Sequence, residues 1–525
     1  MDGHLFIING DLTKIACDAV LIPTDDSFRI EPHWDGLIQD YRDEIPVSWN
    51  GRNVISLTKR HHRPRVWLGN VGQFGDQSDF SVFAPVVEKF VAHEAAEPQD
   101  DPMRKRIYNW PLRRLAVNMV GSGKGGGRGT KGHLASGLVE TLSRLAKRHV
   151  IDIILVTYGN TPYAAAQWAR RNYLVRANTS DTWPLRDDLI TKAEELAQDA
   201  IEHQLVLFIG AGVSAGAGVD TWKGLLEGMA EKANFTDKER ELLAKKDLRD
   251  QATLIESALR DSSDSFKKRV ANRIAERKLY SLVHGLLASL PSKEAVTTNF
   301  DKLFEDAAAV SGSGIAVLPR DPRKTDGRLL LKLHGSVDDH QGMILTRSDY
   351  LRMPRQYGAL MGLVQGLLMM RKMVFVGYSL SDEDFHELLD EVRAARGDSD
   401  DGVGRGTVLT LHDDPLERKL WQQDLDTVPM VIGENASSDL PWAARQLELF
   451  LDLVGYLATT SAAFFLDRSY AELTKCESDL LKPLNELVRR TADSAPRTVG
   501  SQVKEFLTRL GANYDSKPID QSAVD

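Results

Sequence analysis

The chain has 525 residues with a formal net charge of −9, 42% hydrophobic and 27% charged residues. At roughly 150 residues per domain this is a globular protein of several cores, and its acidic balance argues against a broad nucleic-acid-binding surface. Only two cysteines, Cys17 and Cys476, stand near opposite ends, which excludes a disulfide framework and a four-cysteine zinc site and points to a reducing compartment.

In chain order, strand candidates open with LFIING at Leu5 and continue with DAVLIPT, RVWLGNV near 65, LAVNMVG near 115 and IDIILVTYG near 151. Between the last two lie a glycine-rich run, Gly121 to Gly129, and a stretch with Leu134, Leu138, Leu142 and Leu145 at helical spacing. Strand, loop, helix, strand predicts an α/β domain with a largely parallel sheet over residues 1–186. The segment near residue 100 is charged and proline-punctuated and reads as a surface loop.

From Asp187 a helical run leads into LVLFIG, and apolar strands recur at AVTTNF, LLLKLHG, KMVFVGYS and GTVLTLH, separated by helical segments. This predicts a doubly wound parallel sheet over 187–436 with its site at the strands' carboxyl ends. The stretch 396–406 reads as a low-complexity insertion. Residues 437–525 are helical in pattern, a tail that packs on the second domain or builds an oligomer interface. Within it, Leu447 to Leu466 carries Glu448 and Asp452, too interrupted to span a membrane. No basic, apolar leader opens the chain, and a cytoplasmic location is expected.

The strand at Leu205–Ile209 runs directly into Gly210, Ala211, Gly212, Val213, Ser214 and then Gly216 and Gly218. Glycines allow a sharp turn and bring backbone N–H groups close to a ligand, where a following helix directs its positive end. The spacing G-x-G-x-x-x-G is not the dinucleotide fingerprint. By itself the loop fits a phosphate cradle or a tight structural turn. Three later strands end in polar clusters: Thr298-Asn299-Phe300-Asp301, His334-Gly335-Ser336 and Gly377-Tyr378-Ser379. Taken singly, His334 fits a structural histidine, Asn299 a helix cap and Ser379 the cap of the next helix.

Together and in this order, over about Gln204 to Asp414, these motifs resemble the Sir2 family of NAD-dependent deacylases and NAD-hydrolysing bacterial defence proteins. The resemblance implies that Gly210 to Ser214 line the NAD diphosphate. Asn299 would orient the ribose or the attacking water, with Thr298 and Asp301 beside it, and His334 would be the base. Trp222 would wall the nicotinamide, Gly377 and Ser379 would contact phosphate and ribose, and His412 and Asp413 would lie near the adenosine. NAD would be the substrate and no metal is implied, since the stretch after His334 lacks the cysteines of the deacylase zinc module. Deacylases carry Pro-Asp-Phe-Arg after the glycine loop, and this chain has Asp220-Thr221-Trp222-Lys223 instead. Both departures favour hydrolysis of NAD over acyl-lysine removal.

The opening Ile8 to Thr13, the loop Gly121 to Gly126 and Thr157 to Asn160 resemble macrodomains, which bind ADP-ribose. That resemblance implies an adenine contact at Asp11 and a diphosphate loop at Gly121, Gly123, Gly125 and Gly126. A scaffold domain with no ligand is the alternative. The whole then reads as a gated NAD hydrolase depleting NAD on phage infection. It would form a homo-oligomer, answer an ADP-ribose-like signal or a phage- or host-derived activator, and bind neither membrane nor nucleic acid directly. The competing readings are a catalytically silent NAD or ADP-ribose sensor and a zinc-free deacylase.

Overall fold

The computed structural model describes residues 2–57, 64–72, 80–98, 108–120, 131–177, 183–260, 264–310, 314–321, 327–380, 383–396, 406–433, 439–470 and 475–514. The glycine-rich run 121–130, the loop near residue 100 and the insertion 397–405 lie outside them.

The first sheet has six strands: β1 Leu5–Asn9, β2 Ala19–Thr24, β3 Val54–Leu57, β4 Arg65–Asn70, β5 Arg114–Asn118 and β6 Asp152–Thr157. Their order is β1-β6-β5-β2-β4-β3, parallel except for the edge strand β3. The second sheet is parallel throughout. It comprises β7 Leu205–Ile209, β8 Glu294–Thr297, β9 Ile315–Leu318, β10 Arg328–Lys332, β11 Lys372–Val376, β12 Gly406–His412 and β13 Leu425–Val431. The order β13-β12-β11-β7-β8-β10-β9 puts the first strand, β7, in the centre. The chain builds one half of the sheet on one side of β7 and then crosses to the other, a topological switch point.

Successive side chains on a strand face opposite ways, so both sheets are buried on two faces. Leu205, Leu207 and Ile209 join one core cluster while Val206 and Phe208 join another. In β1, Phe6 and Ile8 likewise part from Leu5 and Ile7. Phe6, Ile8, Leu207 and Ile209 share a single cluster with residues of the helices Asp187–Ile201, Leu282–Ser289 and Leu440–Ala458. The two sheets therefore sandwich one helical layer.

The helix Leu440–Ala458 is amphipathic in an unusual sense, because its polar side is also buried. Arg445, Glu448 and Asp452, spaced to share one face, meet the first sheet and its helices. Arg445 forks onto Asp152 at 2.7 and 2.9 Å, Glu448 pairs with Arg114, and Asp452 takes Arg170, His4 and Trp183, each at 2.8 Å. Burial opposes ionisation of Asp452, but Arg170 and the donors from His4 and Trp183 outweigh it and hold the carboxyl below its ordinary range. Among the described residues no helix is long and apolar enough to cross a membrane.

Candidate functional site

Parallel pairing sets where the polar strand ends meet. Ile209 of β7 is level with Thr297 of β8 and Val376 of β11, and Thr297 is level with Lys332 of β10. Gly210 and Gly377 thus lie one residue past their paired ends, and Asn299 and His334 two residues past theirs. With His412 closing β12, the polar ends of five adjacent strands, β12-β11-β7-β8-β10, gather on the carboxyl edge of the sheet at its switch point.

The glycines explain themselves by backbone approach. A β-carbon on Gly210 would sit 2.4 Å from the Gly377 carbonyl oxygen, and one on Gly212 would sit 2.9 Å from it. The Gly212 N–H donates to that oxygen at 2.8 Å. Gly377 has φ +62, and its own β-carbon would meet the Val213 nitrogen at 2.6 Å. Two strand-end loops are locked main chain to main chain, leaving Ala211 and Gly212 exposed while Val213 is buried in the core. The loop is at once a tight structural turn and an open backbone surface.

A buried array forms next to it. Asn299 Nδ2 donates to the Gly210 carbonyl at 3.0 Å and to Ser214 Oγ at 3.2 Å. Ser214 Oγ donates to Asp301 Oδ2 at 2.8 Å, and Asp301 Oδ1 accepts the Leu303 N–H at 3.0 Å. Asn299 is therefore not a helix cap. With both amide protons engaged by acceptors, its Oδ1 is buried and without a hydrogen-bond partner among the described residues. A buried orphan acceptor is costly, and a ligand hydroxyl or a water would satisfy it. Thr297 Oγ1 fixes the bend by donating to Ile209 O at 2.8 Å and accepting the Asn299 N–H at 3.0 Å. Thr298 is half-buried between them.

His334 is buried, with Phe300 at 6.5 Å and Tyr350 edge-on at 5.5 Å. Trp222 packs 6.2 Å from Phe300, so an aromatic wall joins the His334 and Trp222 sides. Asp220 pairs with Arg273 at 2.9 Å, so the acid beside Trp222 finds its arginine on a distant helix. Ser379 is exposed beyond Gly377. Both ring nitrogens of His412 and Oδ1 of Asp413 are buried and unpartnered among the described residues, while Asp413 Oδ2 takes Arg418 at 3.1 Å.

Residue reading missed two members of this site. His284, fully buried, places Nε2 3.4 Å from Ser214 Oγ, and burial drives its imidazole down to about 4 against the opposing Asp301 carboxylate. Lys332, inside β10, donates to the Asp301 carbonyl and to Glu305 at 2.9 Å. Burial pushes the Glu305 carboxyl up, with Lys332 partly offsetting it. The signals were present: Ser281-x-x-His284 has capping-box spacing, and a lysine within LLLKL demands a buried carboxylate.

Residues 293–429 match the SIR2-like domain family. The likeness is to those residues of the second sheet alone. The matched stretch runs from the entrance of β8 into β13, and the glycine loop after β7 completes the same sheet. Over 221 residues the chain is 24% identical to defense-associated sirtuin 2 of Bacillus subtilis, covering 41% of this chain and 22% of that protein. It is 27% identical over 207 residues to the NAD(+) hydrolase ThsA of Cytobacillus dafuensis, 37% of this chain and 39% of that one. With ThsA of Acinetobacter baumannii it shares 26% over 209 residues, 38% and 41%. The chain thus spans about two fifths or less of the length of these curated relatives. Among the described residues no group of three or more His, Cys, Asp or Glu side chains could hold a metal.

In the turn after β1, Asp11 Oδ1 accepts the Thr13 N–H and hydroxyl at 2.9 and 2.7 Å, and its main chain is held by Tyr280, just before the helix Leu282–Ser289. The four glycines read as its diphosphate loop lie outside the described residues.

Proposed function

We propose that the chain is an NAD hydrolase that breaks the nicotinamide–ribose bond and gives water to the ribose carbon, releasing nicotinamide, ADP-ribose and a proton. The observation that carries this reading is the oriented, unpartnered Asn299 Oδ1 beside the exposed Ala211–Gly212 backbone. A cationic sugar develops as the bond breaks. An oriented acceptor for ribose or water, a neighbouring imidazole at His334 and an aromatic wall at Trp222 and Phe300 suit that charge. In this reading the exposed main chain of Ala211 and Gly212 takes the diphosphate, Gly377 and Ser379 flank it, and the orphan nitrogens of His412 and Oδ1 of Asp413 receive the adenosine. The names of the ThsA relatives as NAD(+) hydrolases support the substrate, and that of the Bacillus subtilis relative supports a defence role.

The unit boundaries 1–186, 187–436 and 437–525, the first domain as an ADP-ribose-like sensor through Asp11, a homo-oligomer, a phage- or host-derived activator and a cytoplasmic site of action belong to the same proposal. One observation favours a second reading. A cleft of about 730 Å³ opens beside Ile344, Tyr357 and Leu318, and the Ile344 N–H bonds the His334 carbonyl at 2.9 Å. An acceptor larger than water could enter there. Product analysis decides: chromatography of NAD incubated with the protein, with and without an acyl-lysine peptide, is expected to give nicotinamide and free ADP-ribose in equal amounts. Acyl-ADP-ribose would establish the deacylase, and tight NAD binding without products the silent sensor.

A further inference from the structure

The start of the Leu282–Ser289 helix touches the glycine loop on one side and the first sheet on the other. Toward the site, Ser281 Oγ donates to the Val213 carbonyl at 2.9 Å, and the Ser281 N–H reaches His284 Nδ1 at 3.2 Å. His284 Nδ1 also lies 2.8 Å from Ser281 Oγ, and its Nε2 faces Ser214 Oγ at 3.4 Å. Ser214 in turn holds Asp301 and Asn299.

Toward the first sheet, fully buried Tyr280 clamps the turn after β1. Its hydroxyl accepts the Asp11 N–H at 2.8 Å and donates to the Asp11 carbonyl at 3.0 Å. Its main chain bonds Lys14 O at 2.8 Å and the Ala16 N–H at 2.9 Å, and Lys14 pairs with Asp306 at 3.0 Å. The approach is close enough to exclude side chains. A β-carbon on Gly10 would lie 2.5 Å from the Tyr280 oxygen, and one on Gly285 would lie 2.8 Å from Ile8.

We infer that Tyr280 is a positioning residue. Through it the turn after β1 sets Ser281 and His284, and with them the Ser214–Asp301–Asn299 array, so the first sheet is a working part of the candidate site. The inference rests on the NAD-hydrolase reading and names the contact by which the first sheet would regulate it. Each link is a covalent neighbour or a direct hydrogen bond, the kind of contiguous network along which two sites are coupled.

Two substitutions in the full chain test it. Tyr280→Phe keeps the ring and removes the hydroxyl. Gly10→Ala adds a methyl that must displace that hydroxyl, and its backbone is not in the left-handed region. With NAD as substrate, Gly10→Ala is expected to lower kcat about tenfold and Tyr280→Phe about threefold, with KM held within about twofold because the open Ala211–Gly212 backbone is not the part displaced. The double variant is expected at the Tyr280→Phe level, since phenylalanine has no oxygen to strike. Losses that multiply to about thirtyfold would show that Gly10 and Tyr280 act independently of each other, and that outcome overturns the inference. Hydrogen exchange of the Gly212 to Ser214 amides gives a readout independent of turnover. It is expected to quicken in Gly10→Ala and recover in the double variant, and unchanged exchange in Gly10→Ala also overturns the inference. Absence of NAD turnover in the wild type would sink the hydrolase reading, while exchange would still decide the coupling.

Discussion

At the scale of the residue, the site depends on which way a few small groups point. Asn299 is held with its amide protons toward Gly210 and Ser214. Asn299→Asp would set a carboxylate oxygen against the Gly210 carbonyl, and turnover is expected to fall at least about 100-fold, as when a preorganised polar group is lost from an active site. His284 makes a prediction in pH. Its folded value of about 4 lies below the ordinary 6.5, so the unfolded chain binds the extra proton between those values and stability falls as pH drops through that window. The share from this residue is on the order of 3 kcal/mol, and buried His4, whose value burial also lowers, acts in the same direction. Denaturant midpoints at pH 7 and pH 5 should therefore differ less in His284→Asn than in the wild type; an equal difference would refute the assignment. Ser214, Asn299, Asp301 and His334 were named from the sequence because their motifs follow apolar strands in the order of the Sir2 resemblance, and the structure brings those strand ends to one sheet edge. His284 was not, because a buried histidine on an apolar helix reads as core until its partner, 70 positions away, is placed beside it.

At the scale of the element, the glycine loop is a joint between two strands. Gly377→Ala combines a left-handed backbone with a β-carbon 2.6 Å from Val213 N, and it is expected to cost at least about 2 kcal/mol and to abolish activity. A urea midpoint equal to the wild type would show that the loops tolerate separation. All five strands read in the second region form, and so do the five read in the first. The three that went unread, β3, β9 and β13, are all sheet edges. β3 and β9 are four residues long, and β13 carries Asp426, Thr427 and Pro429. β9 is apolar but too short to stand out, while the free side of an edge admits the polar residues and proline of β13, which interrupt its apolar run.

At the scale of the whole molecule, the two sheets are joined by a shared helical layer. Asp452→Ala would leave Arg170 buried without its carboxylate, and removing one partner of a buried pair costs about 3–5 kcal/mol. A loss below about 1 kcal/mol in denaturant unfolding would show that water reaches this layer. The helical pattern of Leu440–Ala458 was readable, but its acidic residues spoke only against a membrane span. The partners of its buried charges, Arg114 for Glu448, Asp152 for Arg445 and Arg170 for Asp452, come from sequence positions some 300 residues earlier and meet it only through the tertiary fold. The central claim is hydrolysis of NAD at the carboxyl edge of the second sheet, and its most direct test is nicotinamide release from NAD by the purified full chain beside Asn299→Ala and His334→Ala, over a range of protein concentrations. The account predicts turnover in the wild type and its loss in both variants with folding retained. Turnover undiminished in the two variants, or none in the wild type at any concentration, would contradict it.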